Sequence, residues 1–277
     1  MFRQRSGSSL CYACGKLNRA DAAVCFYCGR RNPGLWGFGP SIGRLIGGLD
    51  FAGLVTVVSV VAYIASLALD PRAAIRASGV FDILAPSWRA LAALGMAGAI
   101  PWEQGHWWTV LTAIYLHGSL LHILFNLLWV RQLVPDVEQV YGQARTVVIF
   151  TVSGVVCFLV SDLVGTPYTV GASGAIFGLL SAMVWYGRSR GGFFGSAVLR
   201  QYGTWALVLF VFGLIAGTGV NNWGHAGGLL GGFLAAFVVG PIHERSEQGA
   251  DRLAAGAALA LTAIAFGLQL WTAFLAR

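Results

Sequence analysis

The fold class this sequence predicts is an all-α membrane protein: a bundle of seven membrane-crossing helices preceded by a small four-cysteine module. Three observations carry that expectation. Apolar residues fill 57% of the 277 positions and charged residues only 10%, against roughly 25% charged in an ordinary soluble domain. The apolar residues gather into seven segments, most of them close to the ~20 residues that cross a hydrocarbon core. Four of the five cysteines stand in two Cys-x-x-Cys pairs near the start, Cys11 with Cys14 and Cys25 with Cys28.

The cysteine module comes first in the chain. Gly15 and Gly29 follow the two pairs and suit tight turns that aim backbone amides at sulfur. Four thiolates at this spacing can form the tetrahedron of a structural Zn2+ site. About forty residues hold too little core to fold without such a staple. Disulfides and redox pairs rank below zinc, because a cytosolic N-terminus keeps thiols reduced. The predicted division is 1–40 for the zinc-ribbon module and linker, 41–245 for a six-helix core and 246–277 for an additional C-terminal membrane helix. The fifth cysteine, Cys157, reads as a small packing residue.

The seven segments lie near 48–69, 117–134, 146–164, 172–188, 203–220, 224–242 and 252–274. The 38 glycines suit close helix contact in a bilayer, where small residues let backbones approach. No apolar stretch with a small-residue cleavage site occupies the first forty residues, so no signal peptide is expected. The net charge of +7 comes almost wholly from arginines in connections between apolar segments. The positive-inside rule accounts for it without a nucleic-acid partner. Fourteen of the eighteen basic residues fall on one side of the bundle, the side of the N-terminus. That side is expected to be cytoplasmic, with the C-terminus outside and the whole chain in the cell (plasma) membrane. The connection over roughly 70–116 is too long for a simple loop. With Trp88, Trp102, Trp107 and Trp108 it reads as a structure lying on the outer leaflet.

In this orientation the second, fourth and sixth segments begin at the outer face, and each begins with unusual residues. Gly171-Ala172-Ser173-Gly174 leaves Ser173 unobstructed at a helix N-terminus, where developing negative charge is favoured. His225 opens the sixth segment. A serine and a histidine at the mouths of two membrane helices are the parts of a nucleophile–base pair. His122 and Asn126, four residues apart, share one helix face and could donate hydrogen bonds to an oxyanion beside Ser173. The expected chemistry is acyl transfer: His225 takes the Ser173 proton, the serine attacks a peptide carbonyl, and water hydrolyses the acyl-enzyme. No carboxylate is aimed at His225, Asp162 being the nearest candidate, so a Ser–His dyad is predicted. Phe177, one turn after Ser173, is placed to stack on the imidazole. Asn221 and Asn222 stand either at the mouth of the site or in a turn, the turn role ranking first.

These motifs together give the stretch 105–242 its resemblance to the rhomboid intramembrane serine proteases. It rests on His122-x-x-x-Asn126, Gly171-x-Ser173-Gly174 and His225-x-x-Gly228-x-x-x-Gly232, in that order and on the corresponding helices. The resemblance implies Ser173 as nucleophile and His225 as general base. It implies an oxyanion hole of His122, Asn126 and the Ser173 amide. It also implies that Gly228 and Gly232 let the sixth helix pack on the fourth, and that Glu138 and His117 are structural. The family's usual Trp-Arg pair in the first outer loop stands here as Trp108-Thr109, and its stacking tyrosine as Phe177. A seventh helix after the six-helix core resembles the six-plus-one subgroup. The implied substrates are single-span membrane proteins in the lipid bilayer, cut near the outer face in a helix that can unwind. A cytosolic partner for the zinc ribbon is a further expectation. The rival readings are a catalytically silent rhomboid-like protein that binds membrane helices, and a zinc-ribbon membrane scaffold.

Overall fold

A computed structural model describes residues 7–11, 16–19, 21–27, 29, 31–33, 50–75, 79, 82–215 and 220–275. It divides into two compact units, Met1–Leu54 and Val55–Arg277. In the first unit, β1 (Ser8–Leu10) pairs antiparallel with β2 (Leu17–Arg19), Ser9 opposite Asn18. Cys11 and Cys25 are buried. The Asn18 side-chain amide donates to Cys25 Sγ at 3.3 Å, and Asn18 Oδ1 accepts the Phe26 N–H at 3.0 Å. Cys14 and Cys28, the other two cysteines of the expected zinc set, lie outside the described residues, as does the linker over 34–49. Among the described residues, no group of three or more His, Cys, Asp or Glu could hold a metal ion.

Helices are α1 (Phe51–Leu69), α2 (Pro71–Ala74), α3 (Trp88–Leu94), α4 (Ala99–Glu103), α5 (Thr109–Thr112), α6 (Leu120–Tyr141), α7 (Gln143–Leu163), α8 (Ser173–Arg190), α9 (Gly192–Ile215), α10 (Asn222–Val239) and α11 (Gly249–Leu270). Five of them, α1, α6, α7, α9 and α11 with its continuation to Leu275, are long and apolar enough to cross a membrane. The protein is an integral membrane protein. The two remaining long helices, α8 and α10, have 18 residues each. They carry the serine and the histidine.

α8 is the axis of this unit. It packs against α6, α7, α9 and α10, and Gly174–Met183 are all buried. Two stripes of glycine on α10 make its contacts close. A Cβ on Gly228 would overlap the Gly174 backbone, and one on Gly232 the Gly178 backbone, both on α8. A Cβ on Gly227 or Gly231 would press on Val156 of α7. Without a hydrophobic driving force between helices in lipid, such close backbone approach supplies the association.

Three sequence boundaries move. The second segment was expected to end before Pro135, yet α6 runs through it to Tyr141 and ends at Gly142. A proline is tolerated in a membrane helix where neighbours accommodate the freed carbonyl. The fifth helix begins at Gly192 rather than 203, because its first turns carry polar residues that a search for apolar runs passes over. Arg145, expected in a connection, lies inside α7 and is wholly buried.

The 82–116 connection folds as α3, α4, α5 and a 3-10 turn at Ala113–Tyr115. Leu91, Leu94, Met96 and Leu116 form a small core with Ala62 of α1. The loop before α8 joins this layer through an antiparallel bridge, Ala97 to Thr169.

Candidate active site

Ser173 is the first helical residue of α8, after Ala172 at the cap. The first N–H groups of a helix have no intrahelical partner, and Ser173 carries one of them. The turn into the helix depends on Gly171, whose φ of +128° disfavours any side chain. Its N–H donates to Ala113 O at 2.9 Å. A Cβ there would lie 2.7 Å from His122 Nε2 and 3.9 Å from Ser173 Oγ. His122 and Ser173 therefore face one small space beside Gly171.

His225 is the fourth residue of α10. Asn221 caps that helix, its Oδ1 accepting the Gly224 N–H at 2.9 Å. His225 Nε2 lies 2.9 Å from Ser173 Oγ. The Phe177 ring lies under the imidazole, centroids 4.4 Å apart and planes 30° apart, and Phe210 of α9 meets Phe177 edge-on. His225 is buried while Ser173 is half-exposed, so the base is fixed in protein and the hydroxyl faces a space a substrate can reach.

The partner of the other imidazole nitrogen is a residue that the sequence ranks as a turn residue first and a site residue second. His225 Nδ1 lies 3.1 Å from Asn222 Oδ1. That carbonyl oxygen can only accept, so Nδ1 carries the proton and Nε2 presents its lone pair to the serine. Asn222 is not a turn residue; it opens α10 and reaches forward three residues to the ring. Gly213 of α9 leaves the room its amide fills. An asparagine three residues before a histidine at a helix start was the available signal.

The two remaining oxyanion candidates differ. His122 Nδ1 accepts the Gly118 N–H at 3.3 Å, which leaves Nε2 protonated and pointing at the Gly171–Ser173 turn. Asn126 donates through Nδ2 to His122 O at 2.8 Å, one turn back along α6. One of its two amide hydrogens is committed to the helix. His117 is fully buried, its Nδ1 donating to Tyr115 O at 3.2 Å and its ring edge-on to His122 at 5.2 Å. Burial holds the His117 imidazole well below the usual histidine range, so it is neutral. Glu138 sits half-buried in the last turn of α6. Asp162 sits in the last turn of α7, and His225 turns to Asn222 instead.

The fold and this site define a class: a polytopic helical membrane protein with a serine and a histidine hydrogen-bonded between two closely packed helices. The rhomboid domain family matches residues 104–242, half of the chain. The chain belongs to that family. It is 39% identical over 141 residues to rhomboid protease GluP of Bacillus subtilis (strain 168), covering 50% of this chain and 27% of GluP. It is 35% identical over 133 residues to rhomboid protease GlpG of Salmonella choleraesuis (strain SC-B67), covering 47% of this chain and 48% of GlpG. With RHOMBOID-like protein 5 of Arabidopsis thaliana the identity is 31% over 171 residues, covering 57% of this chain and 52% of the relative. The chain thus spans about half or less of the length of these relatives.

Proposed function

We propose that this protein is an intramembrane serine endopeptidase that cuts single-span membrane proteins near the outer face of the bilayer. The observation that carries the reading is the 2.9 Å contact of His225 Nε2 with Ser173 Oγ, made beside helix N–H groups and within the matched family region. Ser173 attacks the scissile carbonyl as its proton passes to His225 Nε2. The negative oxygen of the tetrahedral intermediate is met by the Ser173 N–H, His122 Nε2–H and the second amide hydrogen of Asn126. The Asn222 carbonyl oxygen stabilises the imidazolium through Nδ1–H. His225 then hands its proton to the leaving amine, the C–N bond breaks, and water releases the acyl group by the reverse sequence. Phe177 holds the ring plane in place of a carboxylate. The N-terminus is cytoplasmic in this proposal, as the basic residues imply.

The test is cleavage of a single-span reporter protein in liposomes, together with fluorophosphonate labelling. Ser173→Ala and His225→Ala should each lower cleavage by about 10⁴-fold or more, and labelling should vanish in Ser173→Ala. Cleavage that persists in Ser173→Ala would sink the reading. A protein that neither cleaves nor labels would favour a helix-binding role.

The N-terminal cysteines belong to this proposal as structural zinc ligands: Cys11, Cys14, Cys25 and Cys28. Thiolate sulfur suits the Asn18 amide that donates to Cys25, and the metal would supply the staple that so small a unit needs. Elemental analysis should find one zinc per chain and its loss in Cys25→Ser. An unchanged zinc content in that variant would reject the ligand set.

A further inference from the structure

Gln269 is the one glutamine of α11 and sits near its outer end, flanked by Leu268 and Leu270. It is 3% exposed. A buried amide at membrane depth is costly unless every group is paired, and here the pairing is full. Its Oε1 accepts the Trp108 indole N–H at 2.9 Å. Its Nε2 donates to Ala92 O at 2.9 Å and to Ala93 O at 3.2 Å. Those two carbonyls lie in the last turn of α3, where intrahelical donors run out and Ala92 O otherwise accepts only the cap N–H of Gly95, at 3.1 Å. A residue of the seventh helix therefore caps α3 from outside and ties it to Trp108. Both partners belong to the 82–116 connection.

That connection holds the serine loop. Gly95 ends α3, and its carbonyl accepts the Thr112 hydroxyl at 2.6 Å. Two residues on, Ala97 O accepts the Thr169 N–H at 2.8 Å; next, the Ala99 N–H donates to Thr166 O at 2.8 Å. From the far end of the connection, Ala113 O accepts the Gly171 N–H at 2.9 Å. The segment 166–171, which delivers the chain into Ser173, thus has most of its backbone bonds made by the layer that Gln269 clamps, the Thr166 N–H going instead to Ser161 O of α7 at 2.9 Å.

We propose that Gln269 is a positioning residue for the Ser173 loop, holding it through the outer connection, and that the seventh helix is a working part of the site. The effect on turnover rests on the proteolytic reading above; the effect on the loop does not. The test is amide hydrogen exchange of the whole protein in detergent, comparing wild type with Gln269→Leu and with Trp108→Phe, which keeps the ring and removes one N–H. Exchange across 166–172 should quicken about tenfold in Gln269→Leu and less in Trp108→Phe, while the middle of α7 stays protected. In the same variants Ser173 labelling and kcat should fall about tenfold with KM little changed. Unchanged exchange at 166–172 in both variants would overturn the proposal. So would a rise spread evenly over all helices in both. If Gln269→Leu fails to fold, Trp108→Phe carries the same reading. If wild type neither cleaves nor labels, the proteolytic reading falls and the exchange data still decide the clamp.

Discussion

An imidazole serves as a base through Nε2 only when its other nitrogen holds the proton, and a carbonyl oxygen can enforce that as a carboxylate does. Asn222 is placed to do so for His225. Asn222→Ala should lower kcat by about tenfold to a hundredfold, the range for losing one hydrogen bond to a group that becomes charged, with KM near its wild-type value. Steady-state kinetics on the liposome-reconstituted protein checks this, with thermal unfolding to show that the variant folds. A rise in KM at constant kcat would place Asn222 in substrate contact instead. At this scale the sequence was legible where spacing alone sets geometry. Ser173 and Phe177 lie one turn apart on any helix, and Phe177 does lie under the ring of His225. Asn222 was not legible, because two adjacent asparagines before a helix look alike. Only the folded turn assigns Asn221 to capping and Asn222 to the imidazole.

At the scale of elements, each apolar run coincides with a long helix among the described residues, and their ends were less readable. Hydrophobicity reports which residues meet lipid, whereas a helix continues for as long as its backbone bonds do. α6 therefore passes Pro135, and α9 starts eleven residues before the apolar run read from 203. Glycine pattern was more informative than composition suggested. Gly228 and Gly232 face α8 while Gly227 and Gly231 face α7, so one helix approaches two others closely on adjacent faces. This bears on chemistry as well as packing. Gly228 meets Gly174, the residue after Ser173, and in the proposed reaction a misplacement of about 1 Å between reacting groups can cost a hundredfold in rate. Near the pair, the approach of the two helices is set by backbone contact between Gly228 and Gly174, while further along Trp185 packs on Phe233 and Phe237.

At the scale of the molecule, the seventh helix is fastened at both ends. At its C-terminal end Gln269 meets the connection, bonding to the last turn of α3 and to Trp108 before α5. At the other end, Arg145 of α7 donates to Asp251 at 3.0 Å, to Gly240 O and to Ser246 O, and is itself 0% exposed. Arg245 donates to the second oxygen of Asp251 at 2.9 Å. Glu247 Oε1 accepts the Ala144 N–H at the start of α7 at 2.6 Å. Counting basic residues placed Arg145 on the cytoplasmic side but could not foresee its burial, since its partner lies 106 residues further along the chain. Removing one member of such a pair strands the other charge, whereas removing both does not. Asp251→Ala should therefore destabilise the protein by about 3 kcal/mol, the lower end for a broken buried pair, since Asp251 retains 8% exposure. The double variant Arg145→Met, Asp251→Leu should be distinctly less destabilised than Asp251→Ala. Denaturation of the detergent-solubilised variants measures both. If Asp251→Ala costs less than about 1 kcal/mol, the value of an exposed pair, water or lipid headgroups solvate Arg145 in its place. The helix would then be held mainly from its outer end by Gln269.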